Sequence, residues 1–246
     1  MQRNETFAIA NPQIEIDNSS GRVDFVTHDD DTVVVTVESM TASAEEIVEA
    51  TKIVAHGSLV KVSVPNRPGF RKREILVRIE MPASATVKVS TVSADVECRG
   101  AVDQAIVKTI SGDIRLETVV SSAEVKSISG DIEMVHSPTD ISVSSTSGDI
   151  RLDHFSGQCI VKSVSGDCLI HASGAGEINV KTVSGDVSVL LEPDINIDVA
   201  LQSVSGRLSS EIDLEGQGSL MSGPSLSIHS RTVSGDVRIR RASLVG

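Results

Sequence analysis

One aspartate recurs at nearly constant spacing through the second half of the chain, and this row of carboxylates could bind cations. On successive turns of a repeat the carboxylates would lie about 4.8 Å apart and repel one another. A calcium ion, with oxygen ligands at about 2.4 Å, could bridge two neighbours. The alternative, which we favour, is that each aspartate caps its own glycine corner and points into solvent. The row contains Asp95, Asp113, Asp131, Asp149, Asp167 and Asp186.

Serine and histidine recur as well, but in patterns that do not complete a catalytic or metal site. The eight equivalent serines have no positioned base, and the chain has no Gly-x-Ser-x-Gly motif. We expect the stacked Ser and Thr hydroxyls of the repeat to form hydrogen bonds along the stacking axis. His136 and His154 share a column, and His171 lies one position off it. Two imidazoles leave a metal site incomplete, so we predict solvated histidines, no metal and no cofactor.

The three cysteines lack the spacing of metal ligands. Cys98, Cys159 and Cys168 each occupy a column that is otherwise filled by small or aliphatic residues. Cysteine in such a position commonly acts as a small buried hydrophobe. An odd number of cysteines in core positions indicates a reducing compartment rather than a disulfide framework.

A short repeat positions all of these residues, and its signature is Val/Ile-Ser-Gly-Asp. The starts of eight copies are 18, 18, 18, 18, 19, 21 and 29 residues apart. A unit this short cannot bury its own apolar face, so the period predicts stacked coils. Apolar and polar residues alternate on both sides of the Gly-Asp corner, which is typical of β-strands. The copies begin at Thr91, Thr109, Ser127, Ser145, Ser163, Thr182, Ser203 and Thr232.

Aligned copies place aliphatic residues in columns that we expect to face inward, such as the column that starts at Val96. In a neighbouring column Glu97, Arg115, Glu133 and Arg151 alternate in sign. Adjacent coils would then pair opposite charges, which disfavours a slip by one coil. The prediction is an all-β chain that forms a parallel β-solenoid with coils of about 18 residues.

One aliphatic column does not fit the inward assignment. It follows by two residues the column of Lys108, Lys126, Lys162 and Lys181. Strict alternation places both columns outside, and an exposed aliphatic stripe would suit a partner. The alternative, which we favour, is a bend at the preceding Ser or Thr that turns the stripe inward. The column contains Val92, Ile110, Ile128, Val164, Val183, Val204 and Val233.

Residues 1–86 are predicted to form an N-terminal α+β cap region, and residues 87–246 the solenoid repeats of one continuous domain. The cap region includes one degenerate coil from Ile14 to Phe25, in which Arg22 replaces the aspartate. Such caps cover the open strand edges of a solenoid.

The rest of the cap region is predicted to mix strands with one helix. Alternating apolar residues predict strands at 33–37, 59–64 and 75–81. Ser43 begins a capping box, which predicts a short helix through about Val54.

Composition excludes several classes of partner. The net charge is −12, which disfavours nucleic acid and anionic membranes. The chain has no Trp or Tyr and only four Phe, so stacking platforms for sugars or single-stranded nucleic acid are hard to build. We find no apolar run long enough to insert in a membrane and no signal-peptide pattern. We therefore expect a cytoplasmic protein, with envelope association possible through a partner.

The Val-Ser-Gly-Asp-Val repeat resembles the bacterial putative-adhesin family, domains of unknown function built from Ser-Gly-Asp β-strand repeats. The resemblance extends over nearly the whole chain, and it includes the Asp29-Asp30-Asp31 turn and the segments that begin at Val62 and Ile79. It implies a right-handed β-helix-like fold and a bacterial source. It implies no catalytic residues.

These observations favour a non-enzymatic structural or interaction module, adhesin-like or scaffolding, that binds an unknown protein partner or itself. One alternative is a regulatory or envelope-stress component that acts through a protein partner. Others are a cation-binding repeat protein and a polysaccharide-active β-helix enzyme, although no isolated acid pair stands out from the repeat.

Overall fold

Strands form nearly all of the regular structure in the computed structural model, which describes residues 1–41, 44–66, 74–137, 139–210 and 223–242. The all-β prediction is therefore confirmed. The helix α1 (Glu45–Ala50) lies between β3 and β4. The strands are β1 (Gln2–Ala8), β2 (Gln13–His28), β3 (Thr32–Ser39), β4 (Lys52–His56), β5 (Leu59–Ser63), β6 (Ile75–Pro82), β7 (Thr86–Lys108), β8 (Ile114–Lys126), β9 (Ile132–His136), β10 (Asp140–Ser147), β11 (Ile150–Ser165), β12 (Cys168–Lys181), β13 (Val187–Leu191), β14 (Asn196–Ser205), β15 (Leu208–Ser210), β16 (Ser225–Ser234) and β17 (Val237–Arg241).

Strands from successive repeats pair in parallel and in register. Val96 in β7 is the partner of Ile114 in β8, which pairs in turn with Ile132 in β9. Ile132 then pairs with Ile150 in β11. Equivalent columns stack because each coil buries its apolar side chains against the same side chains of the next. The right-handed winding stays a prediction.

The predicted aliphatic columns form a continuous core. Ile114, Leu116 and Ile132 are 1% exposed, and buried residues alternate with outer ones along β8. The Phe25 and Phe155 rings are fully buried in the same core. These rings therefore pack inside the stack instead of offering a binding platform.

The N-terminal region closes one end of the stack. β2 lies in register with β7, so that Ile14 is the partner of Val87 and Arg22 is the partner of Asp95. β5 and β6 pair in parallel with the other edge of β2. Antiparallel pairing then adds β3 and β1 beyond β6, and β4 beyond β5. This arrangement covers the edge of the first coil.

The strands predicted at 33–37, 59–64 and 75–81 are present as β3, β5 and β6, but the helix is shorter than predicted. α1 ends at Ala50, and Val54 lies in β4, which pairs with β5. Its β-branched neighbours favour an extended backbone there. Ser43 of the predicted capping box lies outside the described residues.

The last coils do not stack in the order of the sequence. β12 pairs with β16, and β16 pairs with β14. β13, β17 and β15 follow the same order. The coil 225–241 therefore lies between the coils 168–191 and 196–210. Leu208 belongs to the outermost of these coils and is 46% exposed, although its column is otherwise buried.

The signature glycine lets neighbouring coils approach closely. A Cβ atom on Gly166 would lie 2.3 Å from the carbonyl oxygen of Gly148, and the φ angle of Gly166 is +114°. A Cβ on Gly130 would lie 2.0 Å from the carbonyl oxygen of Gly112. A side chain on Gly130 or Gly166 would push the coils apart, and at Gly166 the backbone angle favours glycine as well.

Candidate interaction surface

The aspartate column joins each coil to the next by hydrogen bonds. Oδ1 of Asp113 accepts the backbone N–H of Asp131 at 3.0 Å, and Oδ1 of Asp131 accepts that of Asp149 at 2.8 Å. Each carboxylate therefore caps the neighbouring coil, whereas we expected it to cap its own glycine corner. The same bond links Asp95 to Asp113, Asp149 to Asp167, Asp167 to Asp186, Asp186 to Asp236, and Asp236 to Arg207.

These amide hydrogen bonds stabilise the row of carboxylates without a cation. In the part of the chain that the structure describes, no group of three or more His, Cys, Asp or Glu side chains is arranged to hold a metal ion. The backbone N–H of Asp236 lowers the pKa of Asp186, and the Arg238 guanidinium, 2.8 Å from Oδ2, lowers it further. Calcium binding by the aspartate row stays a prediction.

Most buried hydroxyls of the repeat form hydrogen bonds within their own coil, whereas Ser145 Oγ and Thr232 Oγ1 have no hydrogen-bond partner among the described residues. Ser127 Oγ accepts the N–H of Gly130 at 2.9 Å. The predicted hydrogen bonds along the stacking axis are formed by the outer serine of the signature. Ser129 Oγ donates to the carbonyl oxygen of Ile110 at 3.2 Å. The inner hydroxyls therefore stabilise the Gly-Asp corner, and the outer hydroxyls link neighbouring coils.

The ambiguous aliphatic column faces solvent, so the expected inward bend is wrong. Ile110 and Ile128 are 46% and 49% exposed. The buried Ser or Thr before each of them takes the inward position, and alternation then turns the aliphatic side chain outward. The bend comes one residue later, where Ile110 and Ser111 are both exposed. We call this column the aliphatic stripe; in stacking order it contains Val92, Ile110, Ile128, Thr146, Val164, Val183, Val233 and Val204.

Opposite charges flank the aliphatic stripe. Two residues before it lies a basic row, and the described strand pairings place its members in register. Three residues after it lies the aspartate row. The basic row contains Lys108, Lys126, Ser144, Lys162, Lys181 and Arg231 in stacking order, with the serine as its one uncharged member among those six.

The cysteines occupy core positions, as predicted. Cys98, Cys159 and Cys168 are free thiols and are buried. Loss of solvation raises the pKa of Cys98 and of Cys168 to about 12, and it raises the pKa of Cys159 as well. The thiolate is therefore strongly disfavoured at neutral pH.

A family comparison accounts for the repeated coils and for the cap together. The model of one family, described as Toastrack DUF4097, matches residues 11–243. The chain belongs to the Toastrack DUF4097 family. No curated protein matches this Toastrack chain.

Two solved structures share the fold of this Toastrack chain. One is a putative adhesin from Bacteroides fragilis NCTC 9343, with a TM-score of 0.63 and 12% identity over 97% of both chains. The other is a putative adhesin from Parabacteroides distasonis ATCC 8503, with a TM-score of 0.53 and 15% identity, again over 97% of both chains. Identities this low show a common fold alone. The helices that the structure describes include none that is long and apolar enough to cross a membrane.

Three histidines of the Toastrack chain form a stack, although the sequence placed only two in one column. The ring centroids of His136 and His154 lie 4.9 Å apart, and those of His154 and His171 lie 5.5 Å apart. The register shifts between Leu152 and Phe155, which brings His171 beside His154. The rings stack on one another, and the described residues around them form no metal site.

Sequence reasoning missed a buried carboxylate at the cap. The Asp24 side chain is 4% exposed and forms ion pairs with Arg22, Arg99 and Arg78. The sequence could have indicated this site, because Asp24 of the degenerate coil aligns with Glu97 in the column of alternating charges. These pairs join β2, β6 and β7 at the base of the stack.

The column of alternating charges forms some, but not all, of the predicted ion pairs between adjacent coils. Arg115 pairs with Glu133 on the next coil, whereas Arg151 pairs with Asp153 in its own strand. An open groove of about 600 Å³ follows this column from Arg22 to Arg151. Its walls carry both signs of charge.

Proposed function

We propose that this Toastrack chain is a non-enzymatic interaction module that binds a protein partner through its aliphatic stripe. The observation that carries the proposal is the continuous exposure of aliphatic side chains on eight stacked coils, with one threonine among them. At about 4.8 Å per coil the stripe is about 34 Å long. Exposed apolar surface of this extent is typical of interaction sites.

The buried Ser or Thr that precedes each stripe residue supports the same proposal. The neighbouring Ser or Thr is buried, and its backbone hydrogen bonds would tolerate a polar residue at the next, outer position. Folding therefore does not require an aliphatic residue at the stripe. Binding to an apolar surface of a partner does require aliphatic residues at the stripe.

The alternatives receive unequal support. A regulatory or envelope-stress component that acts through a partner would need the same surface, so the stripe supports that role as a special case. A polysaccharide-active enzyme usually offers aromatic rings to its substrate, but Phe25 and Phe155 are buried. The cytoplasmic location stays a prediction.

Site-specific photo-crosslinking in cells of the source organism tests the proposal. A photoreactive residue at position 128 lies on the stripe, whereas one at position 120 replaces Val120, which is 56% exposed but lies outside the stripe. We expect a defined crosslinked product from position 128 and none from position 120. Equal products from both positions, or none from 128, would contradict the proposal.

A further inference from the structure

We infer that the partner at the aliphatic stripe is a second copy of this chain, bound with the two stacks parallel and related by a two-fold axis along the stacking direction. This inference rests on the proposed function and names the occupant of the same surface. Its basis is the charge pattern on the two sides of the stripe.

The charge pattern has a fixed direction. Every coil runs through the stripe in the same sense because the strands that bear it pair in parallel. In the coils of Ile110, Ile128, Val164, Val183 and Val233 the basic row therefore lies on one side of the stripe, and the aspartate row lies on the other. Lys162 and Asp167, for example, flank Val164, and both charged side chains are exposed.

Only one two-fold arrangement of two such surfaces brings opposite charges together. An axis along the stacking direction exchanges left and right, so the basic row of one copy faces the aspartate row of the other. An axis across the stack leaves left and right unchanged, so lysines face lysines and aspartates face aspartates. Complementary rows favour the first arrangement, and like-charge contact disfavours the second.

The aspartate row has carboxylate oxygens that are free to form these contacts. Its Oδ1 atoms accept backbone N–H groups of the next coil. Among the described residues, the Oδ2 atoms of Asp113, Asp131, Asp149 and Asp167 accept no hydrogen bond, whereas Asp186 and Asp236 share Arg238. Four successive coils thus present an unshared carboxylate oxygen at the corner that follows the stripe, where Asp113, Asp131 and Asp149 also border the groove along the column of alternating charges.

The size of the surface fits a weak and specific dimer. The strip from the basic row to the aspartate row is about 34 Å long and at most about 16 Å wide, from the usual spacings of coils and residues. Two copies would bury at most about 1,100 Å² in total, close to the ~1,000 Å² that specific interfaces need. We therefore expect a dimer whose population depends on protein concentration.

One polar coil sets the register of the two copies. Ser144 and Thr146 take the positions of a lysine and an aliphatic residue in the coil between those of Ile128 and Val164. A shift by one coil would place Thr146 against an aliphatic side chain of the other copy. In-register pairing places the two Thr146 side chains opposite each other and every other stripe residue against an aliphatic one.

Sedimentation of the full chain over a range of concentrations tests for the dimer. We expect reversible dimerisation, and we expect Ile128→Asp to raise the dimer dissociation constant by at least about tenfold. Val120→Asp is the matched control and should leave the constant unchanged. A monomer at all concentrations, or a dimer that Ile128→Asp leaves intact, would overturn the inference.

Cysteine crosslinking tests the direction of the two stacks. Ile110→Cys should form an intermolecular disulfide under mild oxidation, because a parallel pair brings position 110 against itself. An antiparallel pair centred on Thr146 would bring position 110 against position 183. A disulfide found only in a mixture of Ile110→Cys and Val183→Cys chains would therefore overturn the parallel arrangement. The native cysteines are buried and should not compete.

The two proposals fail in distinguishable ways. If the chain is monomeric while position 128 crosslinks to a different protein, the inference is wrong and the proposed function stands. If the chain is monomeric and position 128 gives no product, both are wrong.

Discussion

The backbone N–H of Arg207 donates to Oδ1 of Asp236 across 2.8 Å, although 29 residues separate the two in sequence. This bond places the coil of Asp236 inside the stack and the coil of Arg207 at its edge. Arginine at position 207 replaces the aspartate of the signature, so the outer coil offers no equivalent carboxylate to a further coil. Among the described residues, the row of hydrogen bonds thus ends at the outermost coil.

Replacement of a signature glycine should be costly because neighbouring coils leave no space for a side chain. Gly166→Ala places a Cβ atom 2.3 Å from the Gly148 carbonyl oxygen at a φ angle of +114°. We expect a loss of about 2–4 kcal/mol in the free energy of unfolding, measured by thermal melting.

Gly57→Ala is the matched control for that substitution. Gly57 also has a positive φ angle, +58°, but a Cβ there would meet nothing within 4 Å. Only the backbone cost of about 1–2 kcal/mol should remain. Equal losses for Gly57→Ala and Gly166→Ala would show that close approach of the coils is not the reason for the signature glycine.

Acid should weaken the C-terminal coils through Asp186. The N–H of Asp236 and the guanidinium of Arg238 lower the pKa of Asp186 in the folded chain below its ordinary value of 3.8. The contribution of Asp186 to stability is therefore present above about pH 4 and is lost as the pH falls through the lowered pKa. Asp186→Asn should be less stable than the parent at pH 7 and lose less stability on acidification.

Thermal melts of the parent and of Asp186→Asn between pH 7 and about pH 2.5 measure this difference. Asp29→Asn, in the exposed turn between β2 and β3, controls for the loss of one carboxylate outside the aspartate row. Parallel pH profiles for the parent and Asp186→Asn would count against the assigned role.

The three cysteines should be inert in the folded chain. Burial disfavours the thiolate of Cys98, Cys159 and Cys168, and the thiolate is the reactive form. Ellman's reagent at pH 8 should modify none of them until denaturant is added, after which all three should react. Val120→Cys, at an exposed position, provides a positive control. Rapid modification of any native cysteine would contradict the buried assignment.

Calcium should leave the melting temperature nearly unchanged. The Oδ1 atoms of the aspartate row already accept backbone N–H groups, so each coil offers a cation only one unshared carboxylate oxygen, far fewer than the roughly six to eight oxygen ligands that calcium takes. We expect a shift of less than about 1 °C in millimolar calcium, against magnesium at the same concentration. A rise of several degrees that is specific to calcium would restore the cation-binding hypothesis.

The repeat made much of the fold predictable. A period near 18 residues and the aligned aliphatic columns predicted which residues share a column, including Arg22 in the aspartate column, and the structure pairs Arg22 with Asp95. Each column carries its own burial preference, so alignment of the copies was enough to place most residues inside or outside.

The outward direction of the aliphatic stripe was harder to predict. Hydrophobicity alone favoured burial of Ile110 and Ile128, but the inner position was taken by a Ser or Thr whose hydroxyl binds the corner glycine. A local hydrogen bond therefore outweighed hydrophobicity. Alternation along the strand had indicated the correct direction.

The order of the last coils could not be predicted from the columns. The copy that begins at Thr232 keeps the whole signature and the copy that begins at Ser203 has Arg207 in place of the aspartate, but the aliphatic columns of either copy could follow the coil of Thr182. The long interval between them allows both orders. The third member of the histidine stack was missed for a different reason, since a local shift in strand register is invisible to a fixed period.

The insertion of residues 225–241 between two earlier coils has a consequence for biosynthesis. The ribosome completes β14 and β15 before β16 and β17 exist. During that interval the edge of β12 is open and β14 can pair with it, although in the final structure β16 pairs with β12. Domains generally begin to fold during synthesis at about 5–20 residues per second. In a nascent chain that lacks β16 and β17, β14 therefore either pairs with a strand other than its final partner β16 or stays unpaired. The stack reaches its final order only after Arg241 has been added, and any early pairing of β14 with β12 must first be undone.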